Sequence, residues 1–560
     1  MRRLLPLLAA TATLAPATSA GADDYVASLA RDTPIAAYGG AVAWSEYDAA
    51  TNDYRLVVAA PGAAPAAAPI APGQRAFDVS LGPDPANRPV ALYTRCTGVT
   101  RPGGCDIYRY DVAARRESRL AFSSPQEDEA WPVQWGLRVA FVRRHPTGGT
   151  GEVGDCDAPF VKIISSAMPA RRLSRGTCGR TTGMSIRRER IIQVTFGSPP
   201  DAARFDSQVR RLSTRGGAVT VLARQGSGRE PDDFSSPSQS ASTVWVTRSG
   251  SDPISAFVRI DARAGRRREV PAPTGLTGPF ARDERGHFYY VEGTASGGER
   301  CLALELAPCR LAHTAISPFS SRERALLPAL TIGGPGASGG PALTFGDPFV
   351  LSGRLSRTVV SAGRVVRLDP LAGVPIELLR VSSVAAPDDG LPATAEPTGI
   401  LVATGADGRW SYAVPDPGRR PWFSAVTRTE YQPPAYAGRG TSTAVEAHIT
   451  LAVSGTTFAG TVAPGQPGRS VRIQRLESRD CGLAVNEGAP FCRDTWTTVA
   501  IAALTGDGTA FSASIDAAPA GTYRAALLAA DVQSDPGAYP GSSAETPVGG
   551  SACPDGEGCG

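Results

Sequence analysis

The sequence predicts an all-β protein in which a six-bladed β-propeller, or alternatively a seven-bladed one, precedes two β-sandwich domains. The first observation behind this prediction is a unit that recurs six times in the first 320 residues. The unit is roughly fifty residues long, which is typical of a propeller blade. The second observation is that glycine and proline contribute 62 and 48 of the 560 residues. Such a proportion suits short strands that are joined by many turns.

Each unit contains two strand-like runs that are separated by a polar loop. The two runs begin at these pairs of positions: Ala41 and Tyr54, Val90 and Cys105, Arg138 and Phe160, Ile191 and Ser207, Val244 and Ile254, His287 and Cys309. The second runs align on Val58, Tyr110, Ile164, Leu212, Ile260 and Leu311. This alignment places successive units about 48 to 54 residues apart, as expected for repeated supersecondary units.

The third unit shows the complete pattern. Strand-like runs occupy residues 130–135, 138–144, 160–166 and 171–174, with turn residues between them. Short runs that are rich in β-branched and aromatic residues predict a four-stranded antiparallel meander. A single meander cannot bury both of its faces, so we expect consecutive sheets to pack radially against one another.

Several segments of the repeat also carry a family resemblance. They are Leu81-Gly82-Pro83-Asp84, Asp106-Ile107-Tyr108 with Asp111, Pro132-x-x-Trp135, Val139-Ala140-Phe141 and Arg171-Arg172-Leu173. Together these segments resemble the blades of TolB-type (PD40-like) propellers, over residues 35–320. The resemblance implies a propeller fold for this part of the chain.

The domain organisation follows from where the repeat ends. We expect the propeller to span residues 25–325 and a glycine-rich linker to span residues 326–342. Alternating short strands then predict β-sandwiches at residues 343–440 and 444–545. These two segments resemble bacterial Ig-like and carboxypeptidase-regulatory-like modules, which implies a role as spacers or adhesive units. Residues 546–560 are expected to form a disordered tail.

The N-terminus predicts export. Arg2 and Arg3 precede a short apolar run at residues 4–14, and small residues follow near position 20. This order is typical of a signal peptide, here residues 1–20. The apolar run is too short to span a bilayer, and no later stretch reaches that length. We therefore expect a secreted or cell-envelope-associated protein without a membrane span.

The ten cysteines agree with export and form five sequence-local pairs. The expected disulfides are Cys96 with Cys105, Cys156 with Cys178, Cys301 with Cys309, Cys481 with Cys492, and Cys553 with Cys559. An even number of cysteines in an exported chain favours disulfides. The alternative, structural zinc, requires closely spaced ligands such as Cys-x2-Cys, and the sequence contains none.

The cysteine pairs also suggest a binding face. In a meander, the loops between second and third strands emerge on the same side as the connections between blades. The first three cysteine pairs map to that side, together with the longest loops, residues 146–159 and 292–307. Because ordered loops on a rigid scaffold commonly carry function, one hypothesis is that this loop face binds the ligand. The other is that the disulfides protect the loops against proteolysis.

The sequence assigns no catalytic, cofactor-binding or metal-binding residues. Residues 336–340 match G-x-S-x-G and residues 334–339 match G-x-G-x-x-G, but both lie in the glycine-rich segment without an α/β context. The histidines, at positions 145, 287, 313 and 448, are scattered. Asp78 and Asp128 lie close to predicted first strands, which line the channel of a propeller. They are the candidates for a polar channel site.

Charge and motif content together favour binding over catalysis. Lys and Arg total 57 against 53 Asp and Glu, without a long basic block, which argues against nucleic-acid binding. We therefore predict a monomeric, non-enzymatic scaffold protein of the envelope or exterior. Its propeller would bind a protein, peptide or envelope glycan, and no cofactor is expected. The alternative is an extracellular propeller hydrolase or lyase that acts on carbohydrate.

Overall fold

The computed structural model describes most of the chain in segments. They are residues 21–31, 33–96, 104–122, 128–145, 156–174, 180–197, 206–226, 233–249, 254–272, 276–292, 309–334, 343–381, 395–415, 423–428, 430–435, 445–483, 490–528 and 541–548. Every regular element in these segments is a β-strand, which confirms the all-β prediction. Within the same segments, no helix has the length and apolar character needed to cross a bilayer. The signal peptide predicted at residues 1–20 lies outside them.

Two short strands, β1 (Gly21–Ala22) and β2 (Asp24–Leu29), precede a series of four-stranded sheets. Sheet one contains β3 (Ile35–Tyr38), β4 (Ala41–Asp48), β5 (Asp53–Ala59) and β6 (Ala66–Ala67). Sheet two contains β7 (Ser80–Pro83), β8 (Pro89–Cys96), β9 (Cys105–Asp111) and β10 (Arg116–Arg119). Sheet three contains β11 (Asp128–Trp135), β12 (Arg138–His145), β13 (Cys156–Ile163) and β14 (Arg171–Arg172).

Three further sheets follow. Sheet four contains β15 (Arg180–Arg187), β16 (Arg190–Gly197), β17 (Asp206–Ser213) and β18 (Thr220–Gly226). Sheet five contains β19 (Asp233–Gln239), β20 (Thr243–Ser249), β21 (Ile254–Asp261) and β22 (Arg267–Pro271). Sheet six contains β23 (Leu276–Arg282), β24 (Phe288–Glu292) and β25 (Cys309–Thr314), and β2 supplies its fourth strand.

The register of these sheets confirms the strand pairs that the repeat predicts. All six predicted pairs of runs are the antiparallel second and third strands of a sheet. The prediction for the complete third unit also holds, because β11 to β14 form a meander in chain order. The closing role of β2 was not predicted. It pairs antiparallel with β25, so the start of the chain completes the last sheet.

The sheets form a ring around a shared set of inner strands. The first strand of each sheet contacts the first strand of the next, and β23 of sheet six contacts β3 of sheet one. A cluster of buried apolar side chains lies between every neighbouring pair of sheets in this ring. Because side chains alternate between the two faces of a strand, each sheet contributes to two of these clusters. Trp44, for example, is fully buried between sheets six and one.

The remaining strands complete the chain. They are β26 (Arg324–Gly333), β27 (Leu343–Thr344), β28 (Phe349–Ser361), β29 (Arg364–Pro370), β30 (Pro375–Val381), β31 (Ala395–Ala403), β32 (Arg409–Val414), β33 (Phe423–Thr427), β34 (Val445–Glu446), β35 (His448–Ile449), β36 (Ala452–Ser454), β37 (Thr457–Ala463), β38 (Ser470–Leu483), β39 (Pro490–Ala503), β40 (Ala510–Ser514), β41 (Gly521–Leu527), β42 (Gly541–Ser542) and β43 (Thr546–Val548).

The chain divides into two compact units. The first comprises residues 1–330, 355–371 and 429–436, and the second comprises the rest. Strand β26 occupies part of the segment for which a linker is predicted, and residues 335–342 lie outside the described segments. The first residues of the predicted tail form β43, which pairs with β41. In the second unit β30 pairs with β31 and β33, and β38 pairs with β39 and β41.

Candidate functional site

A cavity lies on the axis of the ring. Its volume is about 550 Å³, within the range of small-molecule sites. Segments from all six sheets line it: residues 34–38, 78–82, 131–135, 182–186, 233–239 and 279–282, together with Ser249 and Glu284. Most of these residues belong to first strands, so the cavity is the central channel that a radial arrangement of sheets creates.

Bulges in the first strands shape the channel wall. The pairing register shifts between Ala130 and Val133 in β11, between Ser235 and Ser238 in β19, and between Leu276 and Phe280 in β23. Each shift contains a proline, at position 132, 237 or 279. Proline has no N–H to donate and is therefore suited to the inner edge of a sheet. Trp131 and Ser236 precede two of these prolines with φ of +52° and +51°, and both line the channel.

Two glycines permit neighbouring first strands to approach closely. A Cβ atom on Gly82 would lie 2.1 Å from the carbonyl oxygen of Gln134, and one on Gly183 would lie 2.5 Å from Cδ of Pro237. Both distances are far below van der Waals contact. The size of the channel therefore depends on glycine at these two positions.

Asp78 lies in the channel wall, as predicted, but its carboxylate is engaged by the protein. Oδ1 accepts hydrogen bonds from the backbone N–H and the hydroxyl of Thr94, each at 2.7 Å. Oδ2 accepts a hydrogen bond from the backbone N–H of Trp131 at 2.6 Å. This arrangement joins sheet two to sheet three and fixes the bulged residue. It gives Asp78 a structural function that the sequence did not reveal.

Asp128 lies elsewhere. It begins β11, and its Oδ1 accepts a hydrogen bond from the backbone N–H of Cys105 at 3.3 Å. It is not among the described residues that line the channel. The two candidate carboxylates are therefore not brought together in the cavity.

The C-terminal ends of the first strands bring aromatic and charged side chains to one end of the channel. The rings of Tyr38 and Trp135 meet edge to face, with centroids 6.0 Å apart. Burial raises the pKa of Tyr38, and the negative charge of Glu284 adds to this effect. Burial lowers the pKa of Arg282, whose guanidinium lies 5.7 Å from the ring centroid of Trp245. Sequence analysis missed this group because its members come from four different repeats, with only Arg282 and Glu284 in the same one.

The structure places some of the predicted disulfides. Cys96 and Cys105 form one, and they are register partners on β8 and β9. Cys309 is also disulfide-bonded. Cys481 and Cys492 lie opposite each other on β38 and β39, which suits the predicted pairing. Cys156 begins β13, whereas positions 178, 301, 553 and 559 lie outside the described segments, as does most of the 146–159 loop.

The histidines and the glycine-rich matches do not form a metal site in the described segments. No group of three His, Cys, Asp or Glu side chains there is arranged to hold a metal ion. His287 and His313 have ring centroids 5.0 Å apart, and Nδ1 of His313 lies 3.1 Å from Oδ2 of Asp24. His448 begins β35, and the G-x-S-x-G match lies outside the described segments.

Comparison with known proteins gives similarity at the level of architecture. No protein-family model matches the sequence, and no curated protein matches it. A TolB protein from Agrobacterium tumefaciens is similar at 16% identity, with a TM-score of 0.23; the similarity covers 33% of this chain and 62% of that protein. An α-L-arabinofuranosidase from Fusarium graminearum shows 8% identity and a TM-score of 0.36, covering 53% of this chain and 98% of that one.

The β-propeller domain of the Trilobed protease from Pyrococcus furiosus is also similar. Its identity to this chain is 9% and its TM-score is 0.30. The similarity covers 60% of this chain and 100% of that domain. The matched part of this chain spans less than two thirds of the length of the TolB protein, 62%. The order and register of the four-stranded sheets carry the fold assignment: the first 330 residues contain a β-propeller.

Proposed function

We propose that this protein is an exported, monomeric binding protein whose propeller channel holds the ligand. The channel cavity carries the proposal, because segments from all six sheets line it. A rigid ring that places short segments from six sheets around one cavity can contact a ligand from every side. The strands of the second unit would act as spacers, in the manner of Ig-like modules.

The chemistry of the wall suits a sugar or a peptide. Hydroxyl and amide groups of Ser185, Ser236 and Gln239 line the cavity, together with the aromatic rings of Trp131 and Trp135. Hydroxyl and amide groups exchange hydrogen bonds with sugar hydroxyls or peptide groups, and aromatic rings pack against their apolar faces. We therefore propose a protein, peptide or envelope glycan as the ligand.

The carboxylates of the wall support binding over hydrolysis. Hydrolysis of a glycosidic bond ordinarily uses a pair of carboxyl groups that are free to act on the substrate. Both carboxylate oxygens of Asp78 instead accept hydrogen bonds, from Thr94 and from Trp131. Oε2 of Glu284 accepts a hydrogen bond from the backbone N–H of Gly39. Asp233 is the remaining acidic residue among the described residues of the wall.

We also propose that the protein is located outside the cytoplasm. The disulfide between Cys96 and Cys105 closes the loop between the second and third strands of sheet two. Disulfides persist in oxidising compartments, which supports export. The ligand would enter the channel from this loop face.

A variant that fills the channel tests the proposal. Ser185→Trp places a large side chain in the cavity, and Ser118→Trp, on the exposed outer strand β10, is its matched control. The immobilised full chain is incubated with solubilised envelope proteins and glycans. We expect the wild type and Ser118→Trp to retain the same component and Ser185→Trp to lose it. Equal retention by Ser185→Trp, or no retained component, would contradict the proposal.

The hydrolase or lyase alternative has its own test. Envelope polysaccharide is incubated with the protein, and newly formed reducing ends are measured. Turnover by the wild type that Asp233→Asn abolishes would establish the enzyme and replace the binding proposal. The absence of turnover together with a retained component would favour binding.

A further inference from the structure

The turns at one end of sheets three and four form a surface with unusual composition. In a meander, the turn from first to second strand and the turn from third to fourth strand lie at the same end. We call this end the turn face; it is opposite the loop face. In sheet three the turn face exposes three large apolar side chains: Leu137 at 44%, Ile163 at 46% and Met168 at 74%.

Hydrogen bonds hold these apolar side chains in place. The backbone N–H of Ile164 donates to the carbonyl oxygen of Leu137 at 2.9 Å, which joins the two turns of sheet three. Nζ of Lys162 donates to the carbonyl oxygen of Ser166 at 2.6 Å and also to that of Met168. The turn that carries Met168 is therefore fixed, and its apolar side chain points to solvent at a defined position.

Basic side chains surround this apolar group. The described turns and adjoining strand ends of sheets three and four carry Arg138, Arg171, Arg187, Arg188, Arg190, Arg211 and Arg215. Glu189 is the acidic residue of these described turns. It forms an ion pair with Arg215 at 2.7 Å and lies 3.7 Å from Arg138. The surface is therefore strongly positive.

Three other arginines of this surface donate to neutral groups. Arg171 donates to the carbonyl oxygen of Arg215 at 2.9 Å, Arg190 to that of Ala241 at 3.0 Å, and Arg211 to that of Ala262 at 2.6 Å. These bonds fix the guanidinium groups between neighbouring sheets. A carbonyl has no net charge, so the positive charge of each arginine remains.

Arg187 also lacks an acidic partner among the described residues. Its guanidinium lies 5.6 Å from the ring centroid of Trp135, and its Nε is buried. It forms neither a hydrogen bond nor an ion pair with any residue that the structure describes. A partly buried cation without an anionic partner costs free energy, which a negatively charged ligand would recover.

On the loop face, two of the described arginines pair with carboxylates. There Arg143 pairs with Glu129 at 3.2 Å, and Arg224 pairs with Asp206 at 3.1 Å. These two arginines of the loop face are therefore balanced by carboxylates, whereas Arg171, Arg190 and Arg211 of the turn face donate to carbonyl oxygens. This asymmetry does not follow from the overall composition, whose formal net charge is only +4.

We propose that the turn face of sheets three and four docks onto an anionic lipid bilayer. Guanidinium groups bind lipid phosphates with paired hydrogen bonds, and cationic side chains are attracted to anionic leaflets. Leu137 and Met168 project from turns and Ile163 from the adjoining strand end, rather than lining a groove, so they suit a planar, deformable apolar partner. Insertion of such side chains at the lipid interface adds to the electrostatic attraction. Arg187 adjoins the end of the channel through Trp135, but Leu137, Ile163 and Met168 do not line the cavity, and the proposal does not depend on the channel ligand.

Vesicle sedimentation tests the proposal with the full chain. The vesicles contain phosphatidylglycerol and phosphatidylethanolamine, or phosphatidylcholine alone. We expect sedimentation with the anionic vesicles at low salt, a decrease as salt rises, and little with phosphatidylcholine. The double variant Arg188→Glu/Arg215→Glu should lower the partition coefficient at least about tenfold, since each basic residue near an anionic surface contributes on the order of one kcal/mol.

Matched controls separate the surface from general effects. Arg75→Glu reverses an exposed arginine in the connection between sheets one and two, on the loop face, and should retain binding. Leu137→Ser/Met168→Ser should weaken binding, whereas Val365→Ser, at an exposed apolar position on β29 outside sheets three and four, should not. Circular dichroism establishes that each variant is folded.

Three results would overturn the proposal. One is equal sedimentation of the wild type with both kinds of vesicle. Another is unchanged binding by both double variants. The third is binding to soluble polyglutamate without binding to anionic vesicles, which would identify the turn face as a site for an acidic protein.

Discussion

Asp78 and Trp131 connect two neighbouring sheets of the ring. The carboxylate of Asp78 accepts a hydrogen bond from the backbone N–H of Trp131 at 2.6 Å, while its other oxygen binds Thr94. Trp131 has a φ of +52°, which is unfavourable for a residue with a side chain. The carboxylate therefore stabilises a strained conformation in the channel wall and fixes the distance between the sheets.

Replacing Asp78 should destabilise the propeller. In Asp78→Ala, the backbone N–H groups of Thr94 and Trp131 lose their acceptor, and each unsatisfied buried donor costs about 1–3 kcal/mol. We expect a lower midpoint of chemical unfolding. Asp48→Ala removes an ion pair with Arg55 at the protein surface and should cost less than about 1 kcal/mol. Equal effects of the two substitutions would refute the structural function of Asp78.

Closure of the ring should depend on β2. Leu29 is buried in the apolar cluster between sheets six and one, and only 1% of it is exposed. Leu29→Ala should lower the free energy of unfolding by about 2–5 kcal/mol, as for other large-to-small substitutions in a core. Val221→Ala, at an exposed position, is the control. If Leu29→Ala unfolds like the wild type, β2 does not close the ring.

The disulfide between Cys96 and Cys105 should stabilise the loop face. It joins residues nine positions apart, and closing a loop of this size contributes roughly 2–3 kcal/mol in the chain-entropy model. Cys96→Ser/Cys105→Ser should unfold at a correspondingly lower denaturant concentration. Because the variant lacks this bond, reducing agent should lower its midpoint less than it lowers the midpoint of the wild type. An unchanged midpoint would show that the bridge does not constrain the unfolded chain.

A buried cluster in sheet six should make stability depend on pH. Glu292 is fully enclosed, and burial raises its pKa to about 7, although the attraction of Arg310 opposes this shift. Asp23 lies in the same cluster, and burial raises its pKa as well. Tyr290 donates a hydrogen bond to Asp23, and Arg324 lies 3.5 Å from it. These groups lie near the strand that closes the ring.

The direction of the pH effect follows from proton binding. Between the ordinary carboxyl pKa of 4.5 and about 7, the folded state holds a proton on Glu292 that the unfolded state releases. Stability should therefore be highest below this interval and fall by about 3 kcal/mol as pH rises through it. Glu292→Gln should flatten the dependence, as measured by urea unfolding at pH 5 and pH 7.5. A wild-type stability that increases over this interval would contradict the raised pKa.

Sequence patterns predicted the strands that are repeated and missed the contacts that close the ring. The runs beginning at Ala41 and Arg138 are β4 and β12, because apolar alternation and turn residues mark them locally. The closing strand at Asp24–Leu29 is a single run without a repeat partner nearby, so nothing local distinguishes it.

The candidate site was predicted only in outline. Position next to a first strand placed Asp78 in the channel wall, but the same reasoning failed to separate it from Asp128, which binds Cys105. Which way a carboxylate points depends on the bulge after Ala130, and sequence periodicity does not show a bulge. Likewise, Tyr38 and Trp135 meet from different repeats, almost a hundred positions apart, and only the ring brings them together.

Hydrogen exchange provides the most direct test of the channel as the ligand site. The component that the immobilised protein retains is added to the free full chain, and amide exchange is compared with and without it. Our account predicts slower exchange in the first strands β11 and β19, at residues 131–135 and 233–239, which line the cavity. Protection confined to the strands of the second unit, with no change in β11 or β19, would contradict it.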